Sequence, residues 1–324
     1  MIKNCTLVTG GSGFIGVYLL KKLAEQGEEV INYDLLPPTI ELQRLLGSLK
    51  DKIIFVKGNI LDWPTLLSVI AEKKVQRIVH MAALFDPQES NRIPHFTHRV
   101  NIGGTLNVLE AAKIYRLQRV VFASSIGVYP EKSYEPMDEK HPVLIPGTAH
   151  GSHYGASKAA GEILGLAYWK NNGVSFVALR FSGVFGYGMR YPMFIKNMIE
   201  NSFQNKPTEF KTGGELRRDY TYVKDCVNAI ICALDAEDKK LTQRVYLTTS
   251  GEIFSGSQVA QWVRDVIHGA AIKIEPALSD VEKIDQAKRG KLDISAAEKE
   301  LGYKPQFRLK EAIKDYIELF KNFR

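Results

Sequence analysis

From residue 1 to about 181, short runs rich in β-branched and aromatic residues alternate with stretches of helical periodicity. The runs are "TLVTG", "EEVINYD", "KIIFVKG", "RIVHMAA", "RVVFASS" and "VSFVALRF", and no other feature narrows the fold so far. Repeated strand and helix units imply a parallel sheet covered on both faces. Between the first two runs Ile15, Leu19 and Leu23 recur at helical spacing, Lys21, Lys22 and Glu25 take the wet side, and Gly27 stops the helix. Asp62 before "WPTLLSVIAEKK" reads as an N-cap, with Pro64 in the first turn, where its missing N–H costs little. After Gly183 the alternation weakens and loop residues increase. The expectation is therefore an α/β protein with a Rossmann-type doubly wound parallel sheet. Residues 1–181 would form that Rossmann-type domain, segments near 218–250 would return to it, and 182–324 would mainly build a smaller C-terminal lobe. Ligands bind such sheets at the C-terminal ends of the strands.

Composition removes several classes of function. The 324 residues are 45% hydrophobic, enough for a substantial core. No stretch approaches the roughly 18 continuous apolar residues of a membrane span, and the start "MIKNCTLVTG" has no long apolar segment. A cytoplasmic protein without a membrane partner is expected. Cys5, Cys226 and Cys232 form no CxxC pair, so they read as reduced thiols and not as metal ligands. The net charge of +7 comes from 43 basic and 36 acidic residues scattered along the chain, apart from a small basic group at Lys288, Arg289 and Lys291. That pattern reads first as an ordinary solvated surface and second as one that meets an anionic small molecule, and no nucleic-acid partner is expected.

Two short stretches carry chemistry. In "TLVTGGSGFIGVYLL", Gly10, Gly13 and Gly16 follow a predicted strand, and Phe14 and Ile15 open a predicted helix. Gly10 allows a tight turn, Gly13 lets a pyrophosphate approach the backbone, and Gly16 permits close helix packing. The helix N-terminus then meets phosphate charge. Asp34 closes the next strand, where a carboxylate can accept both ribose hydroxyls of adenosine and would repel a 2′-phosphate. NAD is thereby favoured over NADP. The second stretch is "SHYGASKAAGE", in which Tyr154 and Lys158 stand four apart and share one helical face. A phenol loses its proton only near about pH 10, and a neighbouring cation favours the phenolate. Taken alone, the pair reads first as two polar side chains on a helix and only second as a working acid.

Around these stretches the sequence resembles the extended short-chain dehydrogenase/reductases, the family of NAD-dependent sugar epimerases and dehydratases of UDP-glucose 4-epimerase type. Besides TGGSGFIG and YGASK, the matching pieces are "GNILD", "HMAAL", "ESNRIPHFTHRVNIGGTLNVLEAAK", "FASSIGVY", "LRFSGVFG", "RRDYTYVKD" and "DISAAEKELGYKP". Their order and spacing agree as well as their content. The resemblance implies a catalytic triad of Ser125, Tyr154 and Lys158. Ser125 would hold the substrate oxygen, Tyr154 would move the proton, and Lys158 would lower the tyrosine's pKa and bind the nicotinamide ribose. It also implies adenine contacts at Asn59 and Ile60, although an acid is commoner than Asn59 there. Ala82 and Ala83 would leave room for the cofactor backbone, with Asn101 supporting that region. Arg218 matches a position that holds the substrate diphosphate, a role suited to a guanidinium's fork of donors. It is equally placed by sequence to be an ion-pair residue near Asp219 or Asp225. The helices around 96–115 and 153–170 match those that pair family members into homodimers.

The chain departs from its relatives at three places. Gly183 stands where many have a substrate-contacting Asn, and "VEKIDQAKRGKLD" lacks an Arg-Pro-Gly-Asp segment, leaving Lys283, Arg289 or Lys291 to supply positive charge. Ile126 and Gly127 stand where the sugar 4,6-dehydratases have an Asp-Glu pair, so water elimination has no evident agent. The leading expectation is an NAD-dependent epimerase of a nucleoside diphosphate sugar. A dehydrogenase of an unactivated sugar or polyol is the second reading, and an NAD-binding regulator without turnover is the third.

Overall fold

Each of the β-rich runs forms a strand: β1 Cys5–Thr9, β2 Glu29–Asp34, β3 Ile53–Lys57, β4 Arg77–His80, β5 Arg119–Ser125 and β6 Phe176–Phe181. The computed structural model describes residues 4–146 and 151–323. A further strand, β7 Val245–Leu247, pairs with β6 at the edge. The order across the sheet is β3-β2-β1-β4-β5-β6-β7, and neighbouring strands are parallel. The order therefore reverses between β1 and β4, and a sheet of this kind opens its ligand crevice at such a reversal.

Helices cover both faces, and the period-two alternation of the strands feeds each side. Val8, Val121, Val177 and Leu179 turn to the face packed by α1 Phe14–Glu25 and α5 Val223–Asp235. Leu7, Val120, Phe122, Phe176 and Ala178 turn to the opposite face, beneath α2 Trp63–Glu72, α3 Gly104–Tyr115 and α4 His153–Asn172. The predicted helix signals appear in place. Asp62 caps α2 by accepting from the Thr65 N–H at 3.3 Å, Pro64 lies in the first turn, and Gly27 leaves α1 with φ of +80°. Gly165 and Gly161 let α4 lie close to the sheet, since an added Cβ would come within 2.1 Å of the Phe176 ring and 2.6 Å of the Phe122 ring.

Beyond β6 the chain makes short strand pairs: Gly183–Phe185 with Tyr220–Tyr222, Arg217–Arg218 with Phe254–Ser255, and Thr208–Phe210 with Ile272–Ile274. Two helices follow. In α6, Asp280–Lys288, Ser279 and Glu282 form a capping box. In α7, Leu309–Phe323, Ile313, Tyr316, Ile317 and Phe320 lie buried. No helix among the described residues is long and apolar enough to cross a membrane, and no group of metal-binding side chains occurs among them. All three cysteines are free.

Candidate active site

At the reversal point the glycine loop joins β1 to α1 and is fastened to the end of β2. The Gly10 N–H donates to the Tyr33 carbonyl at 3.0 Å, and the Ser12 N–H donates to Asp34 Oδ2 at 3.0 Å. Asn32 Nδ2 adds a 3.0 Å bond to Ser12 Oγ. Asp34 Oδ1 accepts the Leu35 N–H at 2.7 Å, so both carboxylate oxygens are held at the mouth of the crevice. Gly10 has φ of +71°, and a Cβ there would lie 2.7 Å from the Ala82 nitrogen. At Gly16 a Cβ would lie 2.5 Å from the Gly11 carbonyl oxygen. Only glycine fits either place. Gly13 caps α1, whose first N–H groups have no acceptor within the helix. The Phe14 ring packs edge-on to Tyr18, and Ile15 joins the core, which leaves their backbone, not their side chains, toward the loop.

On the other wall of the crevice, Thr9 Oγ1 accepts the Met81 and Ala82 N–H groups, each at 3.3 Å, and Ala83 follows in the same loop. Asn101 secures that loop from below. Its Oδ1 accepts from the Leu84 N–H at 2.8 Å, while its Nδ2 donates to the Leu84 carbonyl at 3.1 Å and to Ser157 Oγ at 2.9 Å. Asn59 is exposed and turns its Oδ1 to the Leu61 N–H at 3.0 Å. The buried Ile60 side chain packs against Gly104, and Asn107 Nδ2 donates to the Ile60 carbonyl at 2.9 Å.

Ser125, Tyr154 and Lys158 come together at the C-terminal end of β5. Ser152 Oγ caps α4 by accepting the Gly155 N–H at 3.0 Å, which places Tyr154 in the first turn. Ser125 Oγ accepts from the Gly127 N–H at 3.0 Å and shares a hydrogen bond with the Tyr154 side chain. Lys158 is buried; its Nζ donates to the Ala123 carbonyl at 2.7 Å, lies 4.7 Å from the Phe122 ring centroid and 5.6 Å from that of Tyr154.

The electrostatics differ from the expectation that Lys158 draws the phenol toward neutral pH. Burial pushes Tyr154 up to about 12, and the hydrogen bond with Ser125 opposes it only in part. Burial likewise lowers Lys158 to about 8, with the Glu162 carboxylate pulling it back up. The physical reason is that desolvation acts on both charged forms, while the ammonium spends its nearest contact on the Ala123 carbonyl. Below about pH 8 both groups therefore hold their protons. Beside them, His80 is held between Thr9 Oγ1 at 2.7 Å and Thr105 Oγ1 at 3.1 Å and is lowered to about 3, first by burial and then by Lys158.

On the substrate side, Arg218 pairs with Asp285 of α6 at 2.7 Å, and not with Asp219 or Asp225. Asp219 accepts instead from Ser182, Ser250 and the Gly251 N–H, while Asp225 accepts from the Gln306 N–H. Of the three candidate cations, Arg289 turns inward. Its Nη1 donates to the Ile126 carbonyl at 3.1 Å, one residue from Ser125, and its Nε lies 3.9 Å from Asp285. Lys283 pairs with Asp280 in solvent and the Lys291 side chain is exposed. A Cβ on Gly183 would stand 3.1 Å from Met193 Cε, so Met193 fills the space that an Asn side chain would need.

Residues 6–247 match the NAD dependent epimerase/dehydratase family. The chain belongs to that family. A putative UDP-glucose 4-epimerase of Methanocaldococcus jannaschii is 33% identical to this chain, over 98% of each. Among solved structures, the UDP-glucose 4-epimerase of Thermotoga maritima with UDP-glucose superposes with a TM-score of 0.83 at 25% identity, covering 98% of this chain and 99% of that one. The UDP-glucose 4-epimerase of Thermus thermophilus in complex with NAD gives a TM-score of 0.81 at 27% identity, with the same coverage of each. This epimerase/dehydratase family member is accordingly an enzyme of the extended short-chain dehydrogenase/reductase type, and its cofactor is NAD. The loop that only glycine can form and the twice-anchored carboxylate of Asp34 suit a dinucleotide.

Sequence reasoning overlooked Glu162, which stands four residues beyond Lys158 and lies buried at 3% exposure. The signal was present: Tyr154, Lys158 and Glu162 continue one i, i+4 series.

Proposed function

We propose that the protein is an NAD-dependent epimerase of a nucleoside diphosphate sugar. The observation that carries this reading is the approach of Arg289 to the Ile126 carbonyl, with Arg218 joined to it through Asp285. Two guanidiniums beside the Ser125 segment suit the phosphates of an activated sugar whose reacting hydroxyl lies at Ser125 and Tyr154. The relatives that bear the name UDP-glucose 4-epimerase, one of them with UDP-glucose, point to the same substrate class.

When bound, NAD supplies the hydride acceptor and donor. Within the crevice, the glycine loop with Phe14 and Ile15 would receive the pyrophosphate, Asp34 the adenosine ribose, Asn59 and Ile60 the adenine edge, and Ala82 and Ala83 the opposite wall, with Asn101 holding that wall in place. Lys158 would meet the nicotinamide ribose. Ser125 orients the sugar hydroxyl, and Tyr154, as the phenolate left once its own proton has passed to water, takes the hydroxyl proton and later returns it. Because the resting phenol is a weak acid, the cationic Lys158 is needed to favour its charged form during the transfer. The chain divides, in this reading, into an NAD-binding part over 1–181, rejoined by segments near 218–250, and a substrate lobe drawn mainly from 182–324. Ile163 on α4 and Leu106 on α3 are exposed apolar residues on the helices expected to pair two copies into a homodimer.

The test separates an epimerase from a dehydrogenase. Purified protein should carry NAD and interconvert UDP-glucose and UDP-galactose with no steady rise at the NADH absorbance band. Continuing NADH formation from a free sugar or polyol, without binding of nucleotide sugars, would overturn the epimerase and leave the dehydrogenase.

A further inference from the structure

Glu162 belongs to a closed polar network behind the catalytic groups. Its Oε1 accepts from Ser124 Oγ at 2.5 Å and from Arg180 Nε at 2.9 Å, and its Oε2 accepts from Arg180 Nη2 at 2.6 Å. Ser124, Glu162 and Arg180 are each at most 4% exposed. Arg180 also donates through Nη1 to Tyr129 Oη at 2.7 Å and to the Glu139 carbonyl at 3.3 Å. Tyr129 in turn donates to the Asp138 carbonyl at 2.9 Å. A bidentate carboxylate and guanidinium fix both side chains in one geometry. That geometry ties α4 to two places at once: the end of β5, through Ser124, and β6, through Arg180. Ser124 stands between Ala123, whose carbonyl receives the Lys158 ammonium, and Ser125.

We propose that Glu162, clamped by Arg180, is a positioning residue for the reaction, keeping Lys158 charged and holding the Ala123–Ser125 strand end in register with the helix that carries Tyr154. A purely structural ion pair in this place would hold the helix but would leave the protonation of Lys158 alone. The groups facing Lys158 define the balance. On its own helix they are Tyr154, neutral, and Glu162; on β4 stands His80, neutral in this range; on β5 stand the Phe122 ring and the Ala123 carbonyl. Behind Glu162 lie Arg180 on β6 and Tyr129, with Glu139 reaching the Leu247 N–H. Glu162 is thus the anion that favours the Lys158 ammonium, opposing the burial that lowers it to about 8. Replacing it with an amide removes that attraction and leaves the buried Arg180 cation uncompensated. Both changes push Lys158 the same way, toward losing its proton at lower pH.

The protonation half of the test does not depend on which sugar the enzyme takes. Protein loaded with NAD and labelled at the lysine ε-carbon would be titrated by NMR, the Lys158 resonance being assigned by its disappearance in Lys158→Arg. Wild type, Glu162→Gln and the double variant Glu162→Gln/Arg180→Gln would be compared, the last because two amides leave no unpaired buried charge if the single variant fails to fold. The Lys158 midpoint should fall by at least about half a pH unit in Glu162→Gln, by the loss of the nearby opposite charge, and by less in the double variant, which loses the Arg180 cation as well. An unchanged midpoint in folded protein would overturn the proposal. The kinetic half rests on the epimerase reading. With UDP-glucose as substrate, kcat should fall at least about tenfold with little change in KM, and its alkaline limb should move to lower pH by the same interval. A loss of kcat that follows thermal stability, with the limb unmoved, would reduce Glu162 to a structural residue. Failure of the wild type itself to convert UDP-glucose would count against the substrate reading, while the NMR midpoint would still decide the role of Glu162.

Discussion

Replacing Tyr154 with Phe removes one oxygen from the centre of the proposed reaction and leaves the ring in place. The half-buried tyrosine holds its proton up to about 12 and shares a hydrogen bond with Ser125. Losing that bond costs about 1 kcal/mol net, offset by the desolvation no longer needed for the hydroxyl. In a chain of this size the thermal midpoint should therefore move by less than about 3 °C. NAD affinity should hold, because the glycine loop, Asp34 and the Ala82 wall are untouched. Turnover should drop about 10²- to 10⁴-fold, the range for a lost general acid and base, or roughly 2.7–5.5 kcal/mol of barrier. The assay pairs conversion of UDP-glucose with calorimetric titration of NAD and a melting curve on the same preparation. Turnover within tenfold of the wild type, in protein that binds NAD normally, would show that another group moves the proton.

Two more perturbations probe other parts of the site. Asp34→Ala frees the Ser12 and Leu35 N–H groups and removes the carboxylate proposed for the ribose, so NAD should bind roughly tenfold or more weakly and the preference over NADP should narrow; equal NAD-to-NADP ratios for variant and wild type in calorimetry would refute the assignment. His80 gives a stability prediction with a defined sign. Its folded value of about 3 lies below the ordinary 6.5, so the unfolded chain takes up a proton first as pH falls. Stability contributed by the neutral ring is complete above pH 6.5 and is lost between there and about pH 3, at up to about 1.4 kcal/mol per pH unit. Urea unfolding across that window should show a shallower acid slope in His80→Gln, and parallel slopes would count against the buried neutral imidazole.

Local patterns made much of this protein legible from its sequence. Each β-rich run became a strand of the parallel sheet, because alternation and β-branching act over a few residues. Gly10 and Gly16 stand where only glycine fits, on either side of Gly13, and the four-residue step from Tyr154 to Lys158 is a property of any helix. Family likeness added the roles proposed for Ser125 and Asn101, which composition and periodicity could not supply.

Other features were decided only when distant segments met. Val245–Leu247 was not readable as the last strand of the sheet, since three residues carry too little periodicity and the strand exists through its pairing with β6. Arg218 chose Asp285 over Asp219 and Asp225, and Arg289 rather than Lys283 or Lys291 turned to the Ile126 carbonyl, because α6 lies across that part of the site. Tyr154 had a cation four residues away in the sequence, yet its proton affinity follows burial more than that charge. Spacing along a chain fixes which groups can share a helix face; solvent exclusion and charge pairing depend on what the rest of the chain lays over that face.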